Sequence, residues 1–480
     1  MFGNTILLSA GQGVGLVSMA IWTIAVARYI GPGLYGFYAF AQAVVSVLAI
    51  FLGMGLDEIT TRDVAQDGRL GRSYLVTFTG AKTLVATLVL GGFLVVMLRG
   101  DPAPTEVSVV VVVAAMGLIQ SLTSLAAALL YAYEAMHLLV VGQSVNYVLT
   151  MTSGLLAIWL DRSFATILVL SLVASVVQLV LVLTFARRRL ARSSRAGPVV
   201  QAPSEFLRVA RRALPFLAVA VVSVLHSNML IILLKTSRYS DIALGRFAAA
   251  QRLSMIILIV PSMVAQVLVP AFSRAYAEAP DRFTGMFERA YRYILFLSVP
   301  AAIGIAAVAP ALLDLTYGDE FTAAGGTLRV LALVLIGAAA YVLGPALVAM
   351  DRQGVVARIH TVNLVAVGVV AYLLIPRFGA EGAAWAMVVG AVGSLALYSR
   401  ILFATLDVGF PAAWVVKTAA AAGVTALACA AVVEHVHFLV VLLVVVPVTY
   451  LAVHLALRTL SGHDWQYVRS VLLPAKSPGP

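Results

Sequence analysis

The chain has 480 residues, of which 62% are apolar and only 11% are charged, and its mean hydropathy is +1.02. Soluble globular proteins carry about 25% charged residues, so this composition excludes a water-soluble protein and indicates one with many membrane spans. The net charge of +11 does not indicate nucleic-acid binding, because no polar stretch is long enough for a nucleic-acid-binding domain. Cys429 is the single cysteine, which excludes an internal disulfide and a cysteine-based metal site, and we expect no metal or cofactor.

Charged, glycine and proline positions divide the chain into apolar segments of about 20 residues, the length that crosses a hydrocarbon core of about 30 Å. The first segment is predicted to be an uncleaved span, because no Lys or Arg precedes it and it is too long for a secretion signal. We predict fourteen membrane helices, at 5–28, 36–56, 73–98, 107–131, 138–160, 163–186, 213–234, 243–271, 291–316, 325–350, 355–375, 379–405, 411–433 and 437–457.

The basic residues orient these helices. With the N-terminus on the cytoplasmic side, the inner segments contain 18 Lys and Arg residues and the outer loops contain 5. Positive residues are retained on the cytoplasmic side, so both termini are predicted to be cytoplasmic in a multi-pass protein of the cytoplasmic membrane. Segment 187–212 alone contributes eight arginines, and binding of anionic lipid head groups or of a cytoplasmic partner is the alternative interpretation of this cluster.

Segment 187–212 is also the longest polar interruption between spans, and it separates six predicted spans from eight. The expected fold is an all-α polytopic membrane protein with about 14 transmembrane helices, arranged as two six-helix lobes plus two extra C-terminal helices. We predict an N-terminal lobe at 1–186, a cytoplasmic Arg-rich linker at 187–212, a C-terminal lobe at 213–405, spans thirteen and fourteen at 406–457, and a cytoplasmic tail at 458–480.

An internal repeat relates the two predicted lobes. At an offset of 209 residues, GFYAFAQ at 36–42 aligns with GRFAAAQ at 245–251, with four of seven positions identical. Coincidence in a chain rich in alanine and glycine is the alternative explanation. The two segments begin spans two and eight, so both helices run in the same direction across the membrane. Parallel repeats of this kind are typical of transporters whose substrate site lies between the lobes.

Two basic residues are predicted to lie deep in the membrane. Lys82 and Arg252 are each the tenth residue of a span, which places them roughly 13–15 Å from the nearer interface. A central charge costs about 2.5–3.5 kcal/mol to insert, so we expect both to line a water-filled cavity. A structural contact with a carbonyl or a polar neighbour is the alternative. The carboxylates predicted within spans are Asp314 and Glu381, each near the outer end, so no deep acid is expected.

A cationic site without a carboxylate favours an anionic substrate. Arginine suits a phosphate or diphosphate because its guanidinium donates paired hydrogen bonds, and lysine adds a point charge. The predicted presence of deep basic residues without a deep acid also argues against a cationic drug as the substrate. The candidate substrate-binding residues are Arg252, Lys82, the repeat-related Gln251 and Gln42, and, as a weaker candidate, Arg246.

A second group of charges follows span two. Glu58 and Arg62 are spaced i, i+4, and Asp57 and Asp63 flank them. This spacing is typical of an ion pair on a helix surface at the cytoplasmic edge. A gate that closes the inner mouth, formed by Asp57, Glu58 and Arg62, is the alternative hypothesis.

Five motifs, in order along nearly the whole chain, resemble those of the polysaccharide (O-antigen-type) flippases of the multidrug/oligosaccharidyl-lipid/polysaccharide exporter superfamily. They are ARYIGPGLYG at 27–36, LGMGL at 52–56 with TRDVA at 61–65, GRFAAAQRL at 245–253, LTYGDEF at 315–321 and FGAEGAA at 378–384. Family members often carry an Arg/Asp pair in span seven, where this chain has His226, Ser227 and Asn228. Related lipid II flippases carry arginines within span one, where this chain has only Arg28 at the outer end.

The resemblance implies a flippase that translocates a polyprenyl-diphosphate-linked oligosaccharide by alternating access. Its expected partners are this anionic lipid, the membrane lipids and proteins of glycan assembly. One alternative is a multidrug or cation antiporter on the same fold, which a buried carboxylate facing a cavity would favour. The other is a membrane-embedded polysaccharide polymerase or glycosyltransferase, for which the predicted outer loops are short.

Overall fold

The computed structural model describes residues 2–99, 103–192, 203–278 and 280–459. Within these ranges the chain is helical and contains no β-strand. Eleven helical runs of the described residues are long and apolar enough to cross a membrane. The all-α, multi-pass membrane class is therefore confirmed, and the number of fourteen spans stays a prediction.

The helices follow one another with short connections. In the first half of the chain they are α1 (Phe2–Gly53), α2 (Leu56–Gln66), α3 (Leu70–Leu98), α4 (Pro104–Ala132), α5 (Met136–Trp159), α6 (Phe164–Arg192), α7 (Pro203–Thr236) and α8 (Asp241–Glu278). In the second half they are α9 (Pro280–Tyr317), α10 (Gly325–Ala332), α11 (Ala340–Ala349), α12 (Gln353–Thr405), α13 (Ala412–Val432), α14 (Phe438–Val440) and α15 (Val446–Ala456). Two 3₁₀ segments (Asp319–Ala324 and Leu333–Ala339) flank α10, and a π-helical segment (Val441–Val445) joins α14 to α15.

Two of the longest helices contain a glycine kink in place of a loop. Gly31 interrupts α1 with φ 73° and ψ 170°, and Gly379 interrupts α12 with φ 56° and ψ −128°. Only glycine adopts such angles without strain, because it has no Cβ. Gly31 lies in the predicted turn between spans one and two, and Gly379 is the first residue of predicted span twelve. Helix α1 therefore contains predicted span one and most of span two, and α12 contains spans eleven and twelve.

Helical structure continues beyond residue 56, the predicted end of span two. Helix α1 stops at Gly53, and Met54 (φ 47°) and Gly55 (φ 69°) adopt left-handed angles. Helix α2 follows at once, and the run that is able to cross a membrane continues to Gln66. The charges after residue 56 are therefore carried by a packed helix rather than by a cytoplasmic loop.

The described chain divides into two compact units. The first takes in the described parts of Met1–Ala249, Thr316–Glu320 and Ile375–Ala380, and the second those of Ala250–Leu315, Phe321–Leu374 and Glu381–Pro480. The exact bounds of the predicted lobes, linker and tail stay predictions. Residues 193–202 of the linker and 460–480 of the tail lie outside the described residues.

Each unit has its own packed core. In the first unit, Leu56, Ile59, Phe78, Leu125 and Leu129 of α2, α3 and α4 are fully buried against one another. The second unit is centred on aromatic residues of α8, α9 and α12, where the rings of Phe287 and Phe403 meet edge to face at 5.5 Å. Lipid tails are as apolar as these side chains, so close van der Waals packing, rather than escape from water, holds helices together in a membrane.

Candidate functional site

Lys82 lies at the centre of a polar network inside the first unit. Its Nζ donates to Asp57 Oδ1 at 2.6 Å, to the Ser121 carbonyl oxygen at 3.0 Å and to Ser124 Oγ at 3.3 Å. Ser124 Oγ also lies 2.7 Å from Asp57 Oδ2. The Lys82 side chain is fully buried, and that of Asp57 is 23% exposed. All three hydrogen atoms of the ammonium group therefore have acceptors.

Three helices position this network. Helices α2 and α3 form an antiparallel hairpin through the turn at 67–69, and the hairpin brings Asp57 to Lys82 and Asp63 to Tyr74. Asp57 lies in the first turn of α2, where the positive end of the helix dipole favours a carboxylate. Ser121 and Ser124 lie three residues apart on one face of α4, so both reach the same ammonium group. The arrangement follows from helix geometry and hairpin register.

The expectation that no acid opposes Lys82 is wrong. Asp57 lies beside Lys82 because α2 is a helix packed against α3 and α4 instead of a polar loop. Lys82 is consequently not available to an anionic substrate in this conformation. Removing one partner of a buried ion pair usually costs about 3–5 kcal/mol, because the other charge is left uncompensated.

Sequence reasoning missed Ser121 and Ser124. The two serines lie one helical turn apart in the sequence, but only Ser124 contributes a hydroxyl, because Ser121 contributes its main-chain carbonyl oxygen. Serine is common in membrane helices as a local hydrogen-bonding residue, so this spacing by itself does not indicate a partner. Only the packing of α4 against α2 and α3 shows that they complete the shell around Lys82.

The other charged residues after span two, Glu58, Arg62 and Asp63, differ in their burial and in their partners. Glu58 and Arg62 are exposed on α2, and no ion pair joins them within the described part of the chain. Asp63 is 6% exposed, and its two oxygens accept from Tyr74 Oη at 3.0 Å and from Arg212 Nη2 at 2.9 Å. The role of Asp57, Glu58 and Arg62 as a cytoplasmic gate stays a prediction.

Arg212 shows that the Arg-rich linker has at least one structural contact. Its guanidinium connects α7 to α2 through Asp63, although the Arg212 side chain is 47% exposed. Arg195 and the side chain of Arg192 lie outside the described residues. Lipid or partner binding by the remaining arginines stays a prediction.

Gly36 and Gly245, the first residues of the internal repeat, pack against each other within the first unit. A Cβ on Gly36 would lie 2.6 Å from the Gly245 nitrogen and would overlap the Asp241 carbonyl oxygen. A Cβ on Gly245 would lie 2.9 Å from the Gly36 nitrogen and would overlap the Pro32 carbonyl oxygen. Pro32 and Asp241 are themselves related by the 209-residue offset, so the contact is reciprocal, as contacts across a two-fold axis are.

The repeat-related glutamines have unequal surroundings. Gln42 Nε2 donates to Tyr38 Oη at 2.7 Å, one turn earlier on its own helix. Gln251 is 6% exposed and belongs to the second unit, where its Nε2 lies 3.6 Å from Met387 Sδ on α12. A role for either amide in substrate binding stays a prediction.

The two candidate arginines of α8 also differ. Arg246 Nε donates to the Glu320 carbonyl oxygen at 2.8 Å, so this guanidinium stabilises the 3₁₀ segment before α10. Arg252 follows the buried residues 247–251 and is itself half-buried. Among the described residues, Arg252 makes no hydrogen bond and no ion pair. Its five N–H donors can therefore serve an anion.

Helix α7 carries the residues that stand where members of the resembled family often have an Arg/Asp pair. His226 and Ser227 are exposed, and Asn228 Nδ2 donates to the Val224 carbonyl oxygen of its own helix at 2.9 Å.

Among the described residues, no group of three or more His, Cys, Asp or Glu side chains is placed to hold a metal ion.

Comparison with known proteins identifies the family. The family model described as polysaccharide biosynthesis protein matches residues 2–276, which is more than half of the chain. A stretch of 168 residues is 24% identical to the probable low-salt glycan biosynthesis flippase Agl15 of Haloferax volcanii, and it covers 35% of this chain and 36% of that protein. The chain thus spans about a third of the length of this relative.

Solved structures share the fold. Lipid II flippase MurJ in an inward closed conformation superposes with a TM-score of 0.64 at 11% identity, over 95% of this chain and 99% of that chain. An inward-facing multidrug resistance MATE family transporter of the MOP superfamily superposes with a TM-score of 0.61 at 14% identity, over 84% of this chain and 95% of that one. At these identities the likeness shows the fold alone.

Proposed function

Because the chain belongs to the polysaccharide biosynthesis protein family, a family of flippase type, we propose that it flips a polyprenyl-diphosphate-linked oligosaccharide across the cytoplasmic membrane. The movement is by alternating access, and both chain termini are cytoplasmic. The name of the Haloferax relative, a probable glycan biosynthesis flippase, supports this class of cargo. Proteins of glycan assembly are the proposed partners, and no catalytic step is assigned to the chain itself.

The half-buried Arg252 is the observation that carries the proposal. A guanidinium in a membrane helix is retained only when it is paired, hydrated or functional, and Arg252 has no partner among the described residues. The diphosphate of the lipid carrier supplies oxygens that match its donors, each charge-assisted bond being short and strong. The buried Gln251 precedes it on α8 and is the second proposed contact.

Lys82 has a different proposed role. Because Asp57 neutralises it, Lys82 positions α2, α3 and α4 rather than binding the diphosphate. The proposed substrate contacts on the chain are therefore fewer than the charge pattern of the sequence predicts. They are centred on Arg252.

A transport measurement tests the proposal. Purified protein in vesicles is supplied with a fluorescent lipid-linked oligosaccharide, and a reagent that reaches only one leaflet reports its translocation. Hydrogen bonds to charged groups contribute about 1.5–3 kcal/mol, so we expect Arg252→Gln to lower translocation about ten- to hundredfold. Arg252→Lys retains the charge and is expected to be less impaired.

Arg289→Gln is the matched control for this measurement. Arg289 is exposed on α9, and among the described residues it donates only within its own helix, to the Gly285 carbonyl oxygen at 3.0 Å. This variant is expected to transport at the wild-type rate. Wild-type translocation by Arg252→Gln would refute the site, and an inactive wild-type protein would refute the flippase proposal itself.

An antiporter of cationic drugs is the second candidate, favoured by the fold that the chain shares with MATE transporters. Asp57 is the deep carboxylate that such a mechanism would use. Its charge is already balanced by Lys82, so the pair offers no net attraction to a cation. Cation-driven drug transport by the reconstituted protein, with no movement of lipid-linked sugar, would establish this candidate instead.

A further inference from the structure

The second unit contains a cavity of about 710 Å³ between α9, α12 and α13. This volume lies within the range of about 300–1,000 Å³ that is common for small-molecule sites. Its walls are almost wholly apolar, with Leu295, Val299, Leu395 and Phe403 among the lining side chains. An apolar cavity of this size does not hold water well, so hydrocarbon is the occupant that its walls favour.

The cavity reaches the surface of the unit. Val392 and Phe410, which line it, are 43% and 49% exposed, and the lining residues Ala396 and Ala419 are exposed as well. Apolar helix faces that are exposed in a membrane protein face the lipid tails. An apolar chain can therefore enter the cavity from the surface of the unit.

Arg400 and Thr418 are polar residues that line this cavity, together with Tyr291 and Ser399. Arg400 lies five residues before the end of α12, and Thr418 lies six residues after the start of α13, so both are about 8–9 Å along the helix axes from the loop that joins them. The Arg400 side chain is exposed and makes no ion pair within the described ranges. Thr418 is 5% exposed, and its hydroxyl has no hydrogen-bond partner among the described residues.

The unpaired Thr418 hydroxyl is informative because buried polar groups almost always have a partner. It usually costs about 1–3 kcal/mol to leave such a group unsatisfied. A ligand that fills the cavity and carries an oxygen acceptor beside its hydrocarbon chain would satisfy the hydroxyl. A negative charge on the same ligand would complement Arg400.

We infer that the cavity binds an acyl chain of an anionic phospholipid, with the phosphate at Arg400 and the glycerol ester carbonyl at Thr418. The ester distinguishes this lipid from a polyprenyl phosphate, which has an anionic head group and a hydrocarbon chain but no carbonyl between them. The lipid is a resident ligand of the second unit. The inference is independent of the transported substrate and goes beyond the proposed function.

Lipid retention measured by native mass spectrometry tests the inference. The full-length protein is exchanged into mixed micelles that contain equal amounts of phosphatidylglycerol and phosphatidylcholine, and the retained lipids are counted. The wild-type protein is expected to retain one phosphatidylglycerol in preference to phosphatidylcholine. Arg400→Gln is expected to reduce this preference about tenfold, as the loss of one charge-assisted contact does.

Two further variants separate the parts of the site. Thr418→Val removes the hydroxyl at nearly constant volume and is expected to weaken retention of phosphatidylglycerol severalfold. Ala396→Phe fills the cavity and is expected to abolish retention. Arg358→Gln is the control. Arg358 is exposed on the other segment of α12, and within the described part of the chain it donates only to the Gly354 carbonyl oxygen of its own helix.

Three results would overturn the inference. The first is equal retention of the two phospholipids by the wild-type protein. The second is unchanged retention by both Arg400→Gln and Ala396→Phe. The third is displacement of phosphatidylglycerol by an equimolar amount of polyprenyl phosphate, which would assign the cavity to the substrate lipid. Because the readout is bound lipid rather than transport, a failure here leaves the flippase proposal standing.

Discussion

Gly36 and Gly245 meet backbone to backbone, and each occupies the space that a side chain on the other would need. The contact joins the second segment of α1 to α8. The residues that meet on one helix correspond to those on the other at the same 209-residue offset that relates the two sequences. A chance similarity of seven residues does not require the two copies to touch each other symmetrically. The contact therefore supports an internal repeat with a local two-fold axis between these glycines.

Enlarging either glycine is expected to destabilise the protein. Gly36→Ala and Gly245→Ala each place a methyl group onto a carbonyl oxygen of the other helix, and overpacking of this kind costs about 1–3 kcal/mol. Thermal unfolding in detergent measures the loss. Gly80→Ala is the control, since a Cβ on Gly80 meets nothing within 4 Å, and alanine at such a helical site is neutral or stabilising. Equal melting temperatures for Gly80→Ala and Gly36→Ala would contradict the close packing.

The Asp57–Lys82 pair predicts a strongly non-additive double-mutant cycle. Lys82→Met leaves the Asp57 carboxylate without its counter-charge, and Asp57→Asn leaves the buried ammonium group without its own, so each single change is expected to cost about 3–5 kcal/mol. The double variant removes both charges and is expected to be more stable than Lys82→Met alone. Unfolding of all four proteins in one detergent gives the coupling free energy.

Lys417→Met serves as the control for this cycle. Lys417 is exposed and donates to the Leu457 carbonyl oxygen at 3.0 Å, so its removal is expected to change stability by less than about 1 kcal/mol. Additive losses in the Asp57 and Lys82 variants would show that the two charges do not interact as the geometry indicates.

Asp63 is expected to contribute more to the stability of the protein than its exposed partner Arg212. Asp63→Asn and Tyr74→Phe each disturb a buried hydrogen bond of 3.0 Å and are expected to lower stability by about 1–3 kcal/mol. Arg212→Gln removes a half-exposed partner, and solvent-exposed ion pairs contribute only about 0–1 kcal/mol. Chemical unfolding that ranks Arg212→Gln as the most damaging of the three would refute this assignment.

The kink of α1 at Gly31 is expected to require glycine. Its angles lie in a region that residues with a Cβ rarely occupy, so Gly31→Ala is expected to cost about 1–3 kcal/mol in strain. Gly33→Ala, two residues later, is the control, because its Cβ would meet Ile242 Cγ1 at an ordinary 3.6 Å. Comparison of the two melting temperatures tests the claim, which fails if both variants match the wild-type protein.

Much of the architecture could be predicted from local pattern. Apolar segment length indicates membrane helices whatever their neighbours are, and the glycine kinks at 31 and 379 lie in or beside turns that the sequence predicts between spans. The boundary after residue 56 could not be predicted in this way. A run containing Asp57, Glu58, Arg62 and Asp63 has the composition of a polar loop. Only pairing with Lys82 and Arg212 allows Asp57 to be partly buried and Asp63 to be buried in a helix.

The amino-acid sequence by itself determined that this is an all-α membrane protein, because composition and span length depend on no contact between distant residues. Its motifs, which are local as well, carry the resemblance to the flippases. Tertiary structure alone decided which of the two basic residues predicted to be deep has an ionic partner. Lys82 and Arg252 hold the same position in their spans and look equivalent along the chain. A hairpin brings an acid to Lys82, while Arg252 has no ionic partner among the described residues. Electrostatic pairing depends on distances of a few ångströms between helices, which the order of residues along the chain does not specify.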